Sequence, residues 1–203
     1  PDSRRLRVPG GCFFFTVNLL ERRGNALLTD RIDHLRDAVR HVRRTRPFAI
    51  DAFVVLPDHM HAVWTLPPDD DDFSTRWRLI KTFFARGVAA TERRHASVAP
   101  IGSVVSGNAA FREHAIRDDA DYAAHVDYVH FNPVKHGLVA AAADWPYSTF
   151  KACAARGWYP ETWGGDGVAD VEAGESGGYD HPSDYAPLIR PTRRAVDRQD
   201  LRQ

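Results

Sequence analysis

Cysteine is nearly absent. Cys12 and Cys153 are the two in 203 residues, too few for a disulfide framework or a thiolate zinc site, and both read as small reduced apolar side chains. No apolar run approaches the roughly 20 residues that a membrane-spanning helix needs. The opening "PDSRRLRVPGG" has no apolar secretory core behind its basic residues, so nothing in it points to export. A reducing cytoplasm is the expected compartment. Net charge is missing too, since 27 Lys and Arg face 27 Asp and Glu. The chain as a whole is therefore no polycation, and any anionic partner must meet a local basic surface.

The zero balance hides an uneven layout. Residues 1–156 carry 22 basic and 18 acidic side chains, residues 157–189 carry seven acids and no Lys or Arg, and residues 190–203 carry five Arg and two Asp. Basic clusters stand at Arg4, Arg5 and Arg7, at Arg40, Arg43, Arg44 and Arg46, and at Arg76, Arg78 and Lys81. Such clusters can bind phosphate, although most arginine-rich helix faces are simply solvated. A 43% hydrophobic content at this length fits one well-cored domain with extensions.

Periodicity places the elements. "CFFFTVNLL" (12–20) reads as a strand before the turn-like "ERRGN". In "RIDHLRDAVRHVRRTR", Ile32, Leu35, Val39 and Val42 recur at helical spacing, with Thr29 and Asp30 positioned to cap and Pro47 to close. "FAIDAFVVL" and "HMHAVWTL" read as two strands joined by a tight Pro57–Asp58 turn. Ser74 can cap the helix "TRWRLIKTFFARGVAATERR", and residues 96–108 look like a linker. "AAFREHAI" is a short strand, and "DDADYAAHVDYVHFNPVKHG" a helix with Asp118 or Asp119 at its start. From about residue 157, Gly, Asp, Ser and Pro dominate, predicting an irregular tail after a domain spanning 1–156. The order strand–helix–strand–strand–helix–strand plus one more helix is an α+β, ferredoxin-like split βαβ sandwich: an antiparallel sheet with helices on one face and an extra C-terminal helix.

Chemistry concentrates in two places. In His59-Met60-His61 the imidazoles, two residues apart on a strand, project from one face while Met60 turns to the other. Two nitrogen donors on a rigid strand make half of a divalent-metal site. Taken alone the pair is weak, because such spacings arise by chance. The last helix supplies a partner. At 100° per residue, Asp121, His125, Tyr128 and Asn132 fall within about 60° of one another, and Tyr122, Val126 and Val129 form a separate apolar face. Tyr128 is thereby available as a nucleophile, and Asn132 can offer an amide oxygen as a third metal ligand.

"LPDHMHAVWTLP" resembles the histidine–hydrophobic–histidine (HUH) motif of single-tyrosine transposases, and "HVDYVHFNPVKHGLV" resembles the catalytic-tyrosine helix of their REP-associated branch. "GGCFFFTVNLLERRGNALLT", "DDDFSTRWRLIK", "FREHAIRDDADY" and "DWPYSTF" match that branch in order, covering about residues 4–165. Where the branch often has an aromatic–glutamine pair before the strand at Phe111, this chain has "SGNAAFREH". The resemblance implies His59, His61 and Asn132 as ligands to Mg²⁺ or Mn²⁺, with Tyr128 as nucleophile. It further implies a metal-dependent single-stranded DNA endonuclease and strand transferase that works through a covalent 5′-phosphotyrosine. The expected substrate is the hairpin of a repetitive extragenic palindrome flanked by GTAG. Backbone contacts are expected from Arg4, Arg5, Arg7, Arg43, Arg44, Arg76 and Arg78, in a monomer associated with the nucleoid through DNA. Asp127, Glu113 and His114 match the pattern without an assignable role. The alternatives are a non-catalytic hairpin-binding regulator on the same fold, and an RNA hydrolase whose histidine pair activates water.

Overall fold

A computed structural model describes residues 7–20, 22–94, 111–160 and 162–165. Strands β1 (Cys12–Asn18), β2 (Ala49–Val55), β3 (His59–Thr65) and β4 (Phe111–Ala115) form one antiparallel sheet in the order β2-β3-β1-β4. Helices α1 (Leu27–Asp30) and α2 (Ile32–Thr45) join β1 to β2, and α3 (Phe73–Arg94) joins β3 to β4. Helix α4 (Asp119–Lys135) and the short α5 (Phe150–Ala155) follow. This is the ferredoxin-like arrangement that the element order predicts.

The central strands are buried on both faces, which is why "CFFFTVN" and "HMHAVWT" read as near-continuous apolar runs. Alternation splits their side chains between two cores. Phe13, Phe15, Val17, Met60, Ala62 and Trp64 pack with the apolar stripes of α2 and α3. There the Trp64 and Trp77 rings stack at 4.1 Å and 13°, a geometry worth about 1 kcal/mol beyond the area it buries. Cys12, Phe14 and Val63 point the other way and pack with Tyr122, Val126, Tyr128 and Val129 of α4. The extra helix therefore covers the face opposite α2 and α3. Both cysteines are buried, and neither is in a disulfide among the described residues.

Three local expectations need correction. A single-turn α1 intervenes before α2, so Thr29 and Asp30 cap nothing; Asn25 instead accepts the Leu27 N–H through Oδ1. Helix α3 starts at Phe73, and the Asp72 carboxylate, one residue ahead of it, accepts the Thr75 N–H in the role expected of Ser74. Asp118 does cap α4, accepting the Asp121 N–H at 2.8 Å. The tail also begins later than the composition implies. Gly157, at φ +78°, ends α5 and turns the chain back, so Tyr159 and Trp163 lie in the second core against Phe150 and Phe131. The boundary expected at residue 156 cuts through this aromatic packing. Most of the acidic and basic tail (166–203) and the linker expected at 96–108 lie outside the described residues.

Residues 145–149 line the outer edge of β2. Val55 donates to the Tyr147 carbonyl, Thr149 donates to that of Phe53, and the Trp145 indole donates to that of Val55, each at 2.8–2.9 Å. Among the described residues no helix is long and apolar enough to cross a membrane.

Candidate active site

His59 and His61 extend from the α4-facing side of β3, and Met60 enters the opposite core, as the two-residue period requires. Their rings lie 5.1 Å apart. Tyr128, on the second core's side of α4, brings its ring to 5.1 Å from His61 in an edge contact and 5.8 Å from Phe14. Two imidazoles from the strand and a phenol from the helix thus meet within one chain. The surroundings are not purely apolar: the Lys135 ammonium sits 4.9 Å over the Tyr128 ring. Asn132, one turn beyond Tyr128, is fully buried, and neither polar atom of its amide has a hydrogen-bond partner.

Each imidazole has a polar partner at Nδ1. His61 Nδ1 lies 3.0 Å from Thr16 Oγ1, and His59 Nδ1 lies 2.6 Å from Asp58 Oδ1. The tautomer with its proton on Nδ1, donated to these oxygens, presents the Nε2 lone pair, as in metal-ligating histidines oriented by an outer hydrogen bond; Arg22 Nη2 also lies 3.3 Å from His59 Nδ1. Burial, reinforced by electrostatic interaction with His59, His136, Lys135 and Arg22, pushes the His61 pKa well below the ordinary imidazole value, so it stays neutral. Burial by itself would raise Asp58. Hydrogen bonds from His59 and from Arg22 (2.7 Å) outweigh it and hold that carboxyl below its usual range. An ionised Asp58, the imidazoles of His59 and His61, and an orphaned buried amide on Asn132 fit a hard or borderline divalent cation. His136 stands at the lip of the site, its ring 5.1 Å from His59. Burial and the neighbouring His59 lower its pKa.

Comparison with known proteins places this geometry. No family model matches. The REP-associated tyrosine transposase of Escherichia coli (strain K12) is 51% identical over 174 residues, covering 86% of this chain and 96% of that protein. The chain belongs to the REP-associated tyrosine transposases. A Haemophilus influenzae relative is 41% identical over 167 residues, covering 81% of this chain and 94% of its own. A solved REP-associated tyrosine transposase, bound to a REP hairpin, aligns with a TM-score of 0.72 and 44% identity over 90% of this chain and 99% of its own. Family membership makes this chain a tyrosine transposase, an enzyme that acts on DNA, and the family implies a metal.

The basic residues expected to touch DNA in a REP-associated transposase separate into groups. Arg4 and Arg5 fall outside the described residues. Arg7 is largely exposed, 3.8 Å from Asp71. Arg43 and Arg44 sit on α2, across the sheet from Tyr128, beside a cavity of about 780 Å³ that His34, His41 and Phe83 also line. Arg43 donates through Nε to the Phe48 carbonyl. Arg44 and Arg78 are exposed. Arg76 is a correction: it is 1% exposed, and its guanidinium forks onto Asp70 at 2.7 and 2.9 Å while bonding the carbonyls of Arg46, Pro47 and Asp72. Those bonds occupy its donors inside the protein, so it braces the start of α3 and has none to offer phosphate.

Several groups at the site carry no signal in a linear reading. Thr16 meets His61 through the register of β1 on β3, 45 residues away in the chain. Arg22 reaches Asp58 from the loop after β1. Asp58, directly before His59, and Lys135-His136, one turn after Asn132, lie inside the two motifs, where spacing by itself gives them no role. Asp127 points away from Tyr128 and accepts a 2.7 Å hydrogen bond from the Tyr159 hydroxyl.

Proposed function

We propose that this transposase cleaves and rejoins single-stranded DNA at the hairpins of palindromic repeats, with Tyr128 as nucleophile and His59, His61 and Asn132 as the ligands of Mg²⁺ or Mn²⁺. One observation carries the reading: the Tyr128 ring lies 5.1 Å from His61 inside a single chain. Tyr128 Oη forms the new bond to the scissile phosphorus and loses its proton to solvent. The bond to the 3′ oxygen breaks, and that oxygen takes up a proton as a free hydroxyl. The 5′-phosphotyrosine keeps a phosphodiester's worth of bond energy, so the reverse attack by a 3′ hydroxyl reseals a strand without ATP. When bound, the divalent ion supplies Lewis-acid polarisation of the phosphate and stabilises the leaving oxygen.

The chain's own groups prepare that step. Thr16 and Asp58 orient the imidazoles through Nδ1, and Lys135 over the phenol ring favours the negative charge that builds there during attack. Arg22 and Lys135 share the tyrosine's side of the sheet and are the nearer candidates for phosphate contacts. Arg7, Arg43, Arg44 and Arg78 remain candidates where a longer hairpin wraps past the sheet edge.

A labelled hairpin oligonucleotide with Mg²⁺ or Mn²⁺, run on a denaturing gel, tests the reading. The wild-type chain is expected to form a protein–DNA adduct, and Tyr128→Phe to lose it while still shifting the hairpin on a native gel. Cleavage without an adduct, or an adduct that survives Tyr128→Phe, would sink it.

A further inference from the structure

A second histidine cluster lies outside the site just described. His114 on β4 and Asp121 and His125 on α4 bring one ring nitrogen each and a carboxylate oxygen within 4.8 Å of one another. His114 Nε2 is 2.9 Å from Asp121 Oδ2, and the two imidazoles stack at 4.6 Å and 17°. His125 Nδ1 donates to the Asp121 backbone carbonyl at 2.8 Å and lies 3.0 Å from Asp121 Oδ1, an oxygen with no aligned hydrogen bond. An ion bound through that nitrogen displaces its proton, as metal binding to histidine does. Ligands about 2.0–2.2 Å from a metal stand about 3.0–3.5 Å from one another, so closing this tripod needs side-chain adjustment of about an ångström.

We propose that His114, Asp121 and His125 form a second divalent-metal site, of the transition type that two imidazoles and one carboxylate select. The ring of Phe14 separates it from the first site, lying 4.7 Å from His125 and 5.6 Å from His61. Asp121 and His125 are buried, while the His114 side chain is 31% exposed and gives an ion its way in. The positive partner of the carboxylate in this structure is Arg117, bonded to Asp121 Oδ2 through its backbone N–H and through Nε at 3.2 Å. An ion competes with that guanidinium, whose side chain is 63% exposed and able to swing away. Occupied, the site ties the edge strand β4 to α4 two turns ahead of Tyr128, and so sets where the nucleophile's helix begins. The proposal does not depend on what Tyr128 does.

Co²⁺ titration followed by visible absorption tests it in the full chain carrying His59→Ala and His61→Ala, which removes the first imidazole pair. One Co²⁺ per chain is expected to bind. Adding His114→Ala, at a partly exposed position, is expected to weaken binding at least tenfold, and adding Arg117→Gln to tighten it several-fold by removing the competing cation. Absence of Co²⁺ absorption in the double variant overturns the proposal, as does absorption that His114→Ala leaves unchanged. Circular dichroism of each variant separates loss of binding from loss of fold.

Discussion

At the scale of single residues, the site depends on what stands behind the imidazoles. Thr16 takes no part in the chemistry, but its hydroxyl is hydrogen-bonded to His61 Nδ1 at 3.0 Å and orients that ring. Thr16→Val keeps the shape and removes that oxygen. Losing such an outer partner typically costs metal-dependent enzymes about 10–100-fold in affinity or activity. A rise of that order in the Mn²⁺ concentration needed for half-maximal cleavage, with hairpin affinity unchanged, is the expected result. The imidazole pair was legible because a two-residue spacing on a strand has one geometric outcome. Thr16 was not, because its pairing opposite His61 is set by the β1–β3 register, which no local pattern encodes. The Arg76 reading failed for a related reason. Sequence shows a cation, but only the fold shows that Asp70 and three carbonyls already hold it.

At the scale of elements, α4 must hold its rotation for Tyr128 to face His61. Tyr159, from the segment after α5, donates a buried hydrogen bond to Asp127, the residue directly before the nucleophile. Tyr159→Phe removes it and leaves a buried carboxylate short of a donor. A loss of about 1.5–3 kcal/mol is expected in urea unfolding, with cleavage falling more than hairpin binding. The start of α3 offers the complementary case. Arg76→Ala takes the guanidinium from Asp70 and from three carbonyls, for an expected loss of about 3 kcal/mol, with little change in hairpin affinity for the protein that remains folded. An Arg76 that contacts DNA would give the reverse pattern. Strand and helix bounds were legible to within a few residues because the central strands are apolar runs bounded by turns and α2 carries a clear apolar stripe. The helix starts and the end of the domain were not, since caps compete locally and the packing of Tyr159 and Trp163 depends on a surface that α4 and α5 make together.

For the whole molecule, the charge states of buried imidazoles set how acid it can bear to be. Burial lowers the pKa of His61 and His125, and of His136 at the rim. Their folded values lie below the unfolded one, so the unfolded chain binds more protons. Stability of the metal-free protein is therefore at its full value above about pH 6.5, the ordinary imidazole pKa. It falls as pH drops below that, until the folded values are reached. Urea midpoints measured in chelator from pH 7.5 to 5 should decline. Saturating Mn²⁺ should flatten the decline, because an ion on neutral imidazoles opposes their protonation. Asp70 acts in a lower window. Its hydrogen bonds from Arg76 depress its pKa, so its contribution is complete above the ordinary carboxylate value and is lost only as pH falls through the depressed one.

The backbone partners that residues 145–149 give to β2 have one more effect. An open flank invites another chain to extend the ladder, and natural proteins cover such flanks to prevent it. Here Phe53 and Val55 already spend their outward-facing amide groups on the same polypeptide. A second molecule would have to peel that segment away before it could lengthen the sheet on this side. With nucleophile and imidazoles already together in one subunit, turnover per molecule should stay constant as enzyme is diluted.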